Sequence, residues 1–170
     1  MLMQFCLACV LTFIASTQAI EKRPAFSDFP AKEVFSGTPV SPKLVTHGQR
    51  IFRTRIRDGA NGPVEFAGHY TLPGWGCGAG CSELVIVDSL TGKVYDVPFS
   101  LQDLPFSWLD EHGGDEAHKR MDYRPDSRLM KIDGCLNEVD CGFYDYVMQD
   151  GKGLKLVRKE LLSPKFQPKQ

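Results

Sequence analysis

Residues that could carry chemistry are most concentrated between Phe66 and Cys81. These sixteen positions hold one histidine, three aromatic residues, two cysteines and five glycines. His69 is the best acid–base candidate, but a catalytic histidine needs a nucleophile or an acid within hydrogen-bond reach. Ser82 and Asp88 follow at spacings that fit no catalytic motif, and the G-x-S-x-G nucleophile motif is absent. The role of His69 is therefore either chemical or structural.

The glycine-rich segment after His69 favours binding over catalysis. Pro73 and Gly74 end the predicted strand that carries His69, and a loop closed by two cysteines follows. A disulfide across this loop would make a rigid ring, and glycines let a ligand approach the backbone closely. The alternative is that the glycines only serve a tight disulfide turn. The candidate binding residues are His69, Tyr70, Trp75, Gly76 and Gly78.

An acidic segment at 110–118 contains the other histidines that could act as ligands. Mixed imidazole and carboxylate ligands suit zinc or manganese, so the candidate ligands are His112, Asp115 and His118. However, the two histidines lie six residues apart, which does not match motifs such as H-E-x-x-H. A solvated acidic excursion is the simpler interpretation, and the sequence predicts neither a metal nor a cofactor.

The amino terminus predicts export. Residues 1–19 contain no charged side chain, and residues 5–15 form an apolar run too short to span a bilayer. Small residues at 16–19 then precede a cleavage point before Ile20. We therefore expect a signal peptide at 1–19 and a periplasmic or secreted mature chain with no stable membrane insertion. A buried helix or a single anchor is the alternative.

Export determines how the six cysteines are interpreted. Two of them leave with the signal peptide, and the mature chain keeps Cys77, Cys81, Cys135 and Cys141. An even number of cysteines in an oxidising compartment predicts two disulfides. We favour pairing within each local couple, whereas pairing between the couples is the main alternative. A zinc site is less favoured because the C-x3-C and C-x5-C spacings are poor for zinc.

Length and charge limit the classes of protein. The chain has 170 residues, 42% of them hydrophobic, which fits one globular domain with a real core. Its formal net charge is −1, and nucleic-acid binders usually carry a strong basic excess. We therefore expect a protein or cell-envelope partner and not a nucleic acid.

Apolar and polar residues alternate in several short segments, which predicts a mainly β domain at 43–162. We expect an antiparallel meander in a curled sheet or sandwich. The domain follows a proline-rich extended arm at 20–42 and precedes a loose tail at 163–170. Residues 101–121 break the pattern and predict a long surface excursion. The predicted strands are 66–72, 83–88, 93–98, 122–124, 128–132, 143–148 and 154–158, with a constrained loop at 135–141.

Residues 44–59 are ambiguous between a helix and a strand. Thr46 and Gln49 form a capping-box pattern, and Gly59 stands where a helix would end. Alternating residues at 52–57 also fit a strand, but the caps favour a helix. The helix would gather Arg50, Arg53 and Arg57 on one face, which is either solvated or a site for anions.

The motif F-A-G-H-Y at 66–70, followed by W-G-C-G-A-G-C at 75–81, resembles the signature of a family of small, exported, uncharacterised bacterial proteins. The resemblance extends from Arg53 to about Val97. It implies a bacterial periplasmic setting and a shared disulfide loop, and the family has no established activity to transfer.

These observations favour an exported binding module that docks a protein or cell-envelope partner, such as an inhibitor or an immunity-type protein. The alternative is a periplasmic hydrolase that uses His69, with or without a metal at 110–118. A thiol-redox protein is a third hypothesis, but Cys77 and Cys81 lack the C-x-x-C spacing.

Thiol labelling tests the predicted disulfides. The exported chain, denatured without reductant and with a chelator, is expected to show no free thiol because its four cysteines are paired. Labelling after reduction gives the total as a control. A four-cysteine zinc site would instead expose all of its thiols in the unreduced sample, which would contradict the prediction.

Overall fold

The computed structural model describes residues 22–114 and 119–168, and within these ranges nine strands form one antiparallel sheet. The sheet is not closed into a barrel, and the predicted mainly β fold is confirmed. The predicted signal peptide, 1–19, lies outside the described residues. The strands are β1 Tyr70–Thr71, β2 Gly74–Gly78, β3 Cys81–Asp88, β4 Val94–Asp96, β5 Leu101–Gln102, β6 Met121–Tyr123, β7 Leu129–Leu136, β8 Asp140–Gln149 and β9 Gly153–Leu161.

The sheet has two halves that meet at β5. Its order is β1-β3-β5-β7-β8-β9, with β2 and β4 also paired to β3 and with β6 paired to β7. Leu101 pairs with Ser82 of β3 on one side and with Leu136 of β7 on the other. The long β3 hairpins and the long β7–β9 meander are therefore joined through a strand of two residues.

A central core lies between the two halves of the sheet. Successive side chains of β3 point to opposite faces, so only every second one enters this core. Ile86 faces this core, whereas Val85 and Val87 on the opposite face pack beneath the helices. From the other half, Ile132 and Tyr144 face the same core. The sheet therefore curls so that both halves bury one face against each other, as in a sandwich.

The helix predicted near residue 46 is present as two short helices, α1 His47–Ile51 and α2 Arg53–Ala60. The Thr46 side chain accepts a hydrogen bond from the Gln49 N–H, which confirms the capping box. The helices bend at Phe52, and the C-cap of α2 is Asn61 instead of the expected Gly59. Helical periodicity buries Ile56 completely against β3, so the strand alternative is excluded.

A third helix, α3 Phe106–Glu111, lies within the predicted excursion and packs on the outer face of β7 and β8. Its Trp108 and Leu109 cover the Cys135–Cys141 disulfide together with Phe166 from the tail. The Gln167 amide also donates to the Cys141 and Leu162 carbonyl groups. The tail is thus packed as far as Gln167, and the loop expected at 135–141 is the tight end of the β7–β8 hairpin.

The segment before β1 differs from the prediction because it turns instead of extending. Ala67 and Gly68 have φ values of 48° and 86°, and the Gly68 N–H donates to the Pro125 carbonyl at 2.7 Å. A Cβ at Gly68 would lie 3.2 Å from the Glu33 carbonyl oxygen, so the turn requires glycine. The expected strand 66–72 is therefore reduced to Tyr70–Thr71, and the expected loop at 74–78 is strand β2.

The amino-terminal arm is tied to the domain along its length by backbone hydrogen bonds. The N–H groups of Ala31, Phe35, Val40 and Lys43 donate to carbonyl groups of Asp126, Gly68, Ser89 and Gly92. Apart from a short 3-10 turn at Phe26–Asp28, the arm has no helix or strand in its described part. It crosses the turns at the ends of β3, β4 and β6, which makes it part of the domain surface.

The beginning of the arm is held by a buried ion cluster on the outer face of β7–β9. Asp145 is completely buried, and its carboxylate contacts Arg23 at 2.7 Å and Arg158 at 3.5 Å. A second carboxylate, Asp133, lies 2.6 Å from Arg23. Burial favours a lower pKa for Arg23, but the two carboxylates outweigh it and raise this pKa. The cluster therefore anchors the arm through charge.

The substitution Asp145→Asn is expected to destabilise the fold by about 3 kcal/mol, because it removes the completely buried carboxylate that Arg23 and Arg158 share and leaves each with only its less buried partner, Asp133 or Glu160. Asp140→Asn is the matched control on the same strand: its carboxylate is exposed and pairs with Lys159 at the surface, so its loss costs less than about 1 kcal/mol. Urea unfolding of both variants measures the difference. Equal free energies of unfolding in the two variants would contradict the role of the cluster.

Candidate functional site

A cleft of about 1150 Å³ lies between the arm and the strand ends beneath it, and we call it the arm cleft. Arm residues 32–37 form one wall, and the floor comes from β1, β3, β4 and the β8–β9 turn. The polar side chains that face it come from distant parts of the chain and include His69, Asp88, Lys93 and Asp150. This size exceeds that of typical small-molecule pockets, so the cleft is the best candidate site.

Asp88 is positioned by the turn between β3 and β4. Its carboxylate oxygen Oδ1 accepts hydrogen bonds from the N–H groups of Leu90 at 2.8 Å and Thr91 at 3.2 Å. Gly92 completes the turn with a φ of 71°, and a Cβ there would lie 2.3 Å from the Ser41 carbonyl oxygen. The turn at 89–92, which the sequence predicted, therefore holds the Asp88 carboxylate in place at the cleft.

His69 lies immediately before β1 and faces this acid. Its Nε2 atom is 3.9 Å from the nearer Asp88 carboxylate oxygen, Oδ1, and its ring packs on the Tyr70 ring at 4.1 Å. Catalytic hydrogen bonds are about 2.6–3.2 Å long, so the imidazole and the carboxylate are near each other without bonding directly. The structure thus brings together two residues that the sequence could not connect.

Tyr70 forms the floor of the arm cleft. Its side chain is almost fully buried, and its hydroxyl donates to Asp150 Oδ1 at 3.4 Å. Burial is the main cause that raises the pKa of Tyr70, and Tyr95, Asp150 and Asp88 raise it further. The phenol therefore stays neutral and acts as a hydrogen-bond donor at neutral pH.

Lysines also line the cleft. Lys93 donates to the Gly151 carbonyl at 2.8 Å, and its ammonium group lies 4.5 Å from the centre of the Tyr95 ring. Lys32 and Lys43 also line the arm cleft. Because carboxylates and ammonium groups share one cleft, a ligand with both kinds of charge fits it better than a purely apolar one.

The remaining predicted binding residues lie on β2, away from the arm cleft. Trp75 stacks on Phe52 with ring centres 4.2 Å apart, and its Nε1–H donates to Glu83 at 2.9 Å. Trp75 thus fastens the helices to β3 and is partly buried. Gly76 and Gly78 are exposed in the segment 76–80, which the Cys77–Cys81 disulfide closes into a hairpin tip.

Both disulfides join the cysteines within each local couple, as the sequence analysis favoured. Cys77 is exposed, whereas Cys135 and Cys141 are buried under α3. The two bridges therefore have different surroundings: one closes the hairpin tip, and the other belongs to the packing of the sheet.

The candidate metal ligands do not come together in the described residues. The His112 ring stacks on Trp108 at 4.2 Å, and its Nδ1 lies 2.8 Å from the Trp108 carbonyl oxygen. Asp115 and His118 lie outside the described residues. Across 22–114 and 119–168, no group of three histidine, cysteine, aspartate or glutamate side chains could hold a metal ion.

Lys93, Tyr95 and Asp150 belong to the cleft but were not singled out by the sequence. Asp150 lies in a Gln-Asp-Gly turn, and Lys93 and Tyr95 lie in the predicted strand 93–98, whose pattern is ordinary. The sequence around each of these residues predicts a hairpin and no binding site. Recognition of the site required the pairing of β1 and β4 with β3, which no local pattern specifies.

No protein-family model matches this chain, and no curated protein or solved structure matches it significantly. No helix among the described residues is long and apolar enough to cross a membrane.

Alkaline titration tests the buried tyrosines. Burial raises the pKa of several of them, so the native state holds these protons above the usual tyrosine pKa of about 10. Their contribution to stability is complete below that pH and is lost as the pH rises further. The tyrosines with a raised pKa are Tyr70, Tyr123, Tyr144 and Tyr146.

The expected result is a delayed rise in tyrosinate absorbance that coincides with loss of the circular-dichroism signal of the sheet. The urea-unfolded chain, which titrates near pH 10, is the control. A gradual titration near that pH with the fold intact would show that the phenols are accessible to solvent.

Proposed function

We propose that this chain is an exported binding module and that the arm cleft holds a segment of a protein or cell-envelope partner. One observation carries the proposal: the amino-terminal arm, the strands β1, β3 and β4 and the β8–β9 turn form a cleft of about 1150 Å³ that is lined by both acids and lysines. An inhibitor or an immunity-type protein is the class that fits such a module.

The size and the walls of the cleft support an extended occupant. Ligand pockets for small molecules are about 300–1,000 Å³, and this cleft is larger and open to solvent. Its floor is preorganised because Asp88 is held by two backbone N–H groups and Tyr70 is held by core packing. A rigid floor lowers the entropy lost on binding.

The contacts within the cleft favour binding over hydrolysis. Asp88 already accepts two backbone hydrogen bonds, so an ordinary structural role accounts for its position. The raised pKa of Tyr70 makes its phenol a poor base or nucleophile. These groups can orient a ligand through hydrogen bonds without activating water.

Export is part of the proposal. The apolar segment at 5–15 and the small residues that follow it support a signal peptide, and two disulfides fit an oxidising compartment. A periplasmic or secreted location would bring the cleft to partners in the cell envelope.

A second candidate function is a hydrolase that uses His69. The observation that favours it is the 3.9 Å separation between His69 and Asp88 inside the cleft, because such pairs can tighten when a substrate binds. His69→Gln removes the imidazole while the Tyr70 floor remains. Retained turnover of an envelope-derived substrate in this variant would exclude a catalytic His69.

Tryptophan substitutions test the cleft against the hairpin tip. Ser36→Trp places a large ring in the wall of the arm cleft, and Ala79→Trp places the same ring on the exposed tip. Ser163→Trp is the matched control at an exposed position that lines neither surface. Each protein is immobilised, and the partner captured from a periplasmic extract is quantified against the parent chain.

Ser36→Trp is expected to reduce capture at least about ten-fold, equivalent to about 1.4 kcal/mol. The reason is steric, because the indole ring takes the space that the bound partner segment occupies against the wall. Ser163→Trp should leave capture unchanged, and all melting temperatures should stay near that of the parent. Loss of capture only in Ala79→Trp would move the binding site to the hairpin tip and contradict the proposed cleft.

A further inference from the structure

Helices α1 and α2 present a basic surface whose arginines do not line the arm cleft. Its four arginines lie within eight residues and are all exposed, and we call them the arginine surface: Arg50, Arg53, Arg55 and Arg57. The opposite side of the same helices is buried, with Ile56 and Ala60 against β3. Helical packing therefore leaves the arginines facing solvent.

The arginine surface has no counter-charge in the described part of the chain. None of its four guanidinium groups forms an ion pair there, and Asp58 is the one acidic residue between 44 and 62. Arg53 donates only a long hydrogen bond, 3.4 Å, to the Arg50 carbonyl. By contrast, two arginines elsewhere in the fold, Arg23 and Arg158, each contact a carboxylate directly.

The spacing of these arginines is unfavourable for the isolated fold. Arg53 and Arg57 are four residues apart on α2, so like charges are neighbours on that helix, and Arg50 lies at the end of α1 just before it. Such pairs destabilise a helix slightly. The repulsion between these arginines is not offset by a carboxylate of the described fold. An anion from outside the protein could offset it.

The residue types favour a lipid surface over a protein. Guanidinium groups bind phosphate with two parallel hydrogen bonds, and all four cations are arginines. Ile51, next to Arg50 at the end of α1, is 57% exposed, as expected for a side chain that enters the headgroup region. Protein interfaces usually centre on exposed aromatic residues, whereas Phe52, the aromatic residue of these helices, is stacked on Trp75.

We propose that the arginine surface binds the phosphate groups of an anionic lipid bilayer and holds the protein at that surface. The contact is peripheral: the guanidinium groups meet lipid phosphates, and Ile51 meets the outer part of the acyl region. This inference is independent of the arm cleft, which would remain open for its own ligand.

Vesicle sedimentation tests this surface. The purified chain is mixed with vesicles of phosphatidylcholine alone or of equal parts phosphatidylcholine and phosphatidylglycerol, at low salt and at ~0.15 M salt. We expect binding to the anionic vesicles that weakens with salt. Binding that is equal on both vesicle types would overturn the proposal, because it would reflect apolar insertion.

A pair of charge-matched variants identifies the surface. Arg53→Gln/Arg57→Gln is expected to weaken anionic-vesicle binding by about five-fold per arginine. Lys152→Gln/Lys155→Gln removes the same charge from exposed positions on the β8–β9 hairpin and should leave most of the affinity. Equal weakening in both variants would overturn the proposal, because net charge alone would then explain binding.

Thermal unfolding separates binding from a structural role. Removing Arg53 and Arg57 relieves like-charge repulsion on α2, so the melting temperature should stay the same or rise slightly. A clear fall in melting temperature, together with lost vesicle binding, would show that the arginines support the fold, and the proposal would be overturned.

Discussion

The fold depends on the close approach of β5 to β7. Among the described strands, β5 (Leu101–Gln102) is the one that pairs with both β3 and β7, and Leu101 is completely buried in the core between the two halves. Gly134 makes this approach feasible, because a Cβ there would lie 2.5 Å from the Gln102 carbonyl oxygen. A missing side chain on β7 thus lets the two halves join and curl over one core.

This junction explains why a cleft exists at the opposite end of the strands. Once the sheet has curled, the end of β3 with Asp88 lies near the β8–β9 turn with Asp150, although 62 residues separate them in the sequence. The arm then covers the resulting gap and contributes a wall. The candidate site is therefore a product of the topology and not of one motif.

The sequence predicted features that are determined locally. The Thr46 capping box, the hairpin of β3 and β4, and the two local disulfides are correct because each depends on residues close together in the chain. The cleft and the Phe52–Trp75 stack were not predicted, because they arise from contacts between elements. The turn at Ala67 was missed because the Arg124, Pro125 and Ser127 carbonyl groups that hold it come from a later segment.

The arm has a consequence for the order in which the molecule assembles. Arg23 is among the first described residues, yet its partner Asp145 lies 122 positions later, on β8. A chain is synthesised from its amino terminus, so the arm exists well before its docking surface. Contacts at such separation carry a large loop-closure entropy and form late. The start of the arm can therefore dock only after β8 has been made, and the Arg23–Asp145 pair closes late in the assembly of the domain.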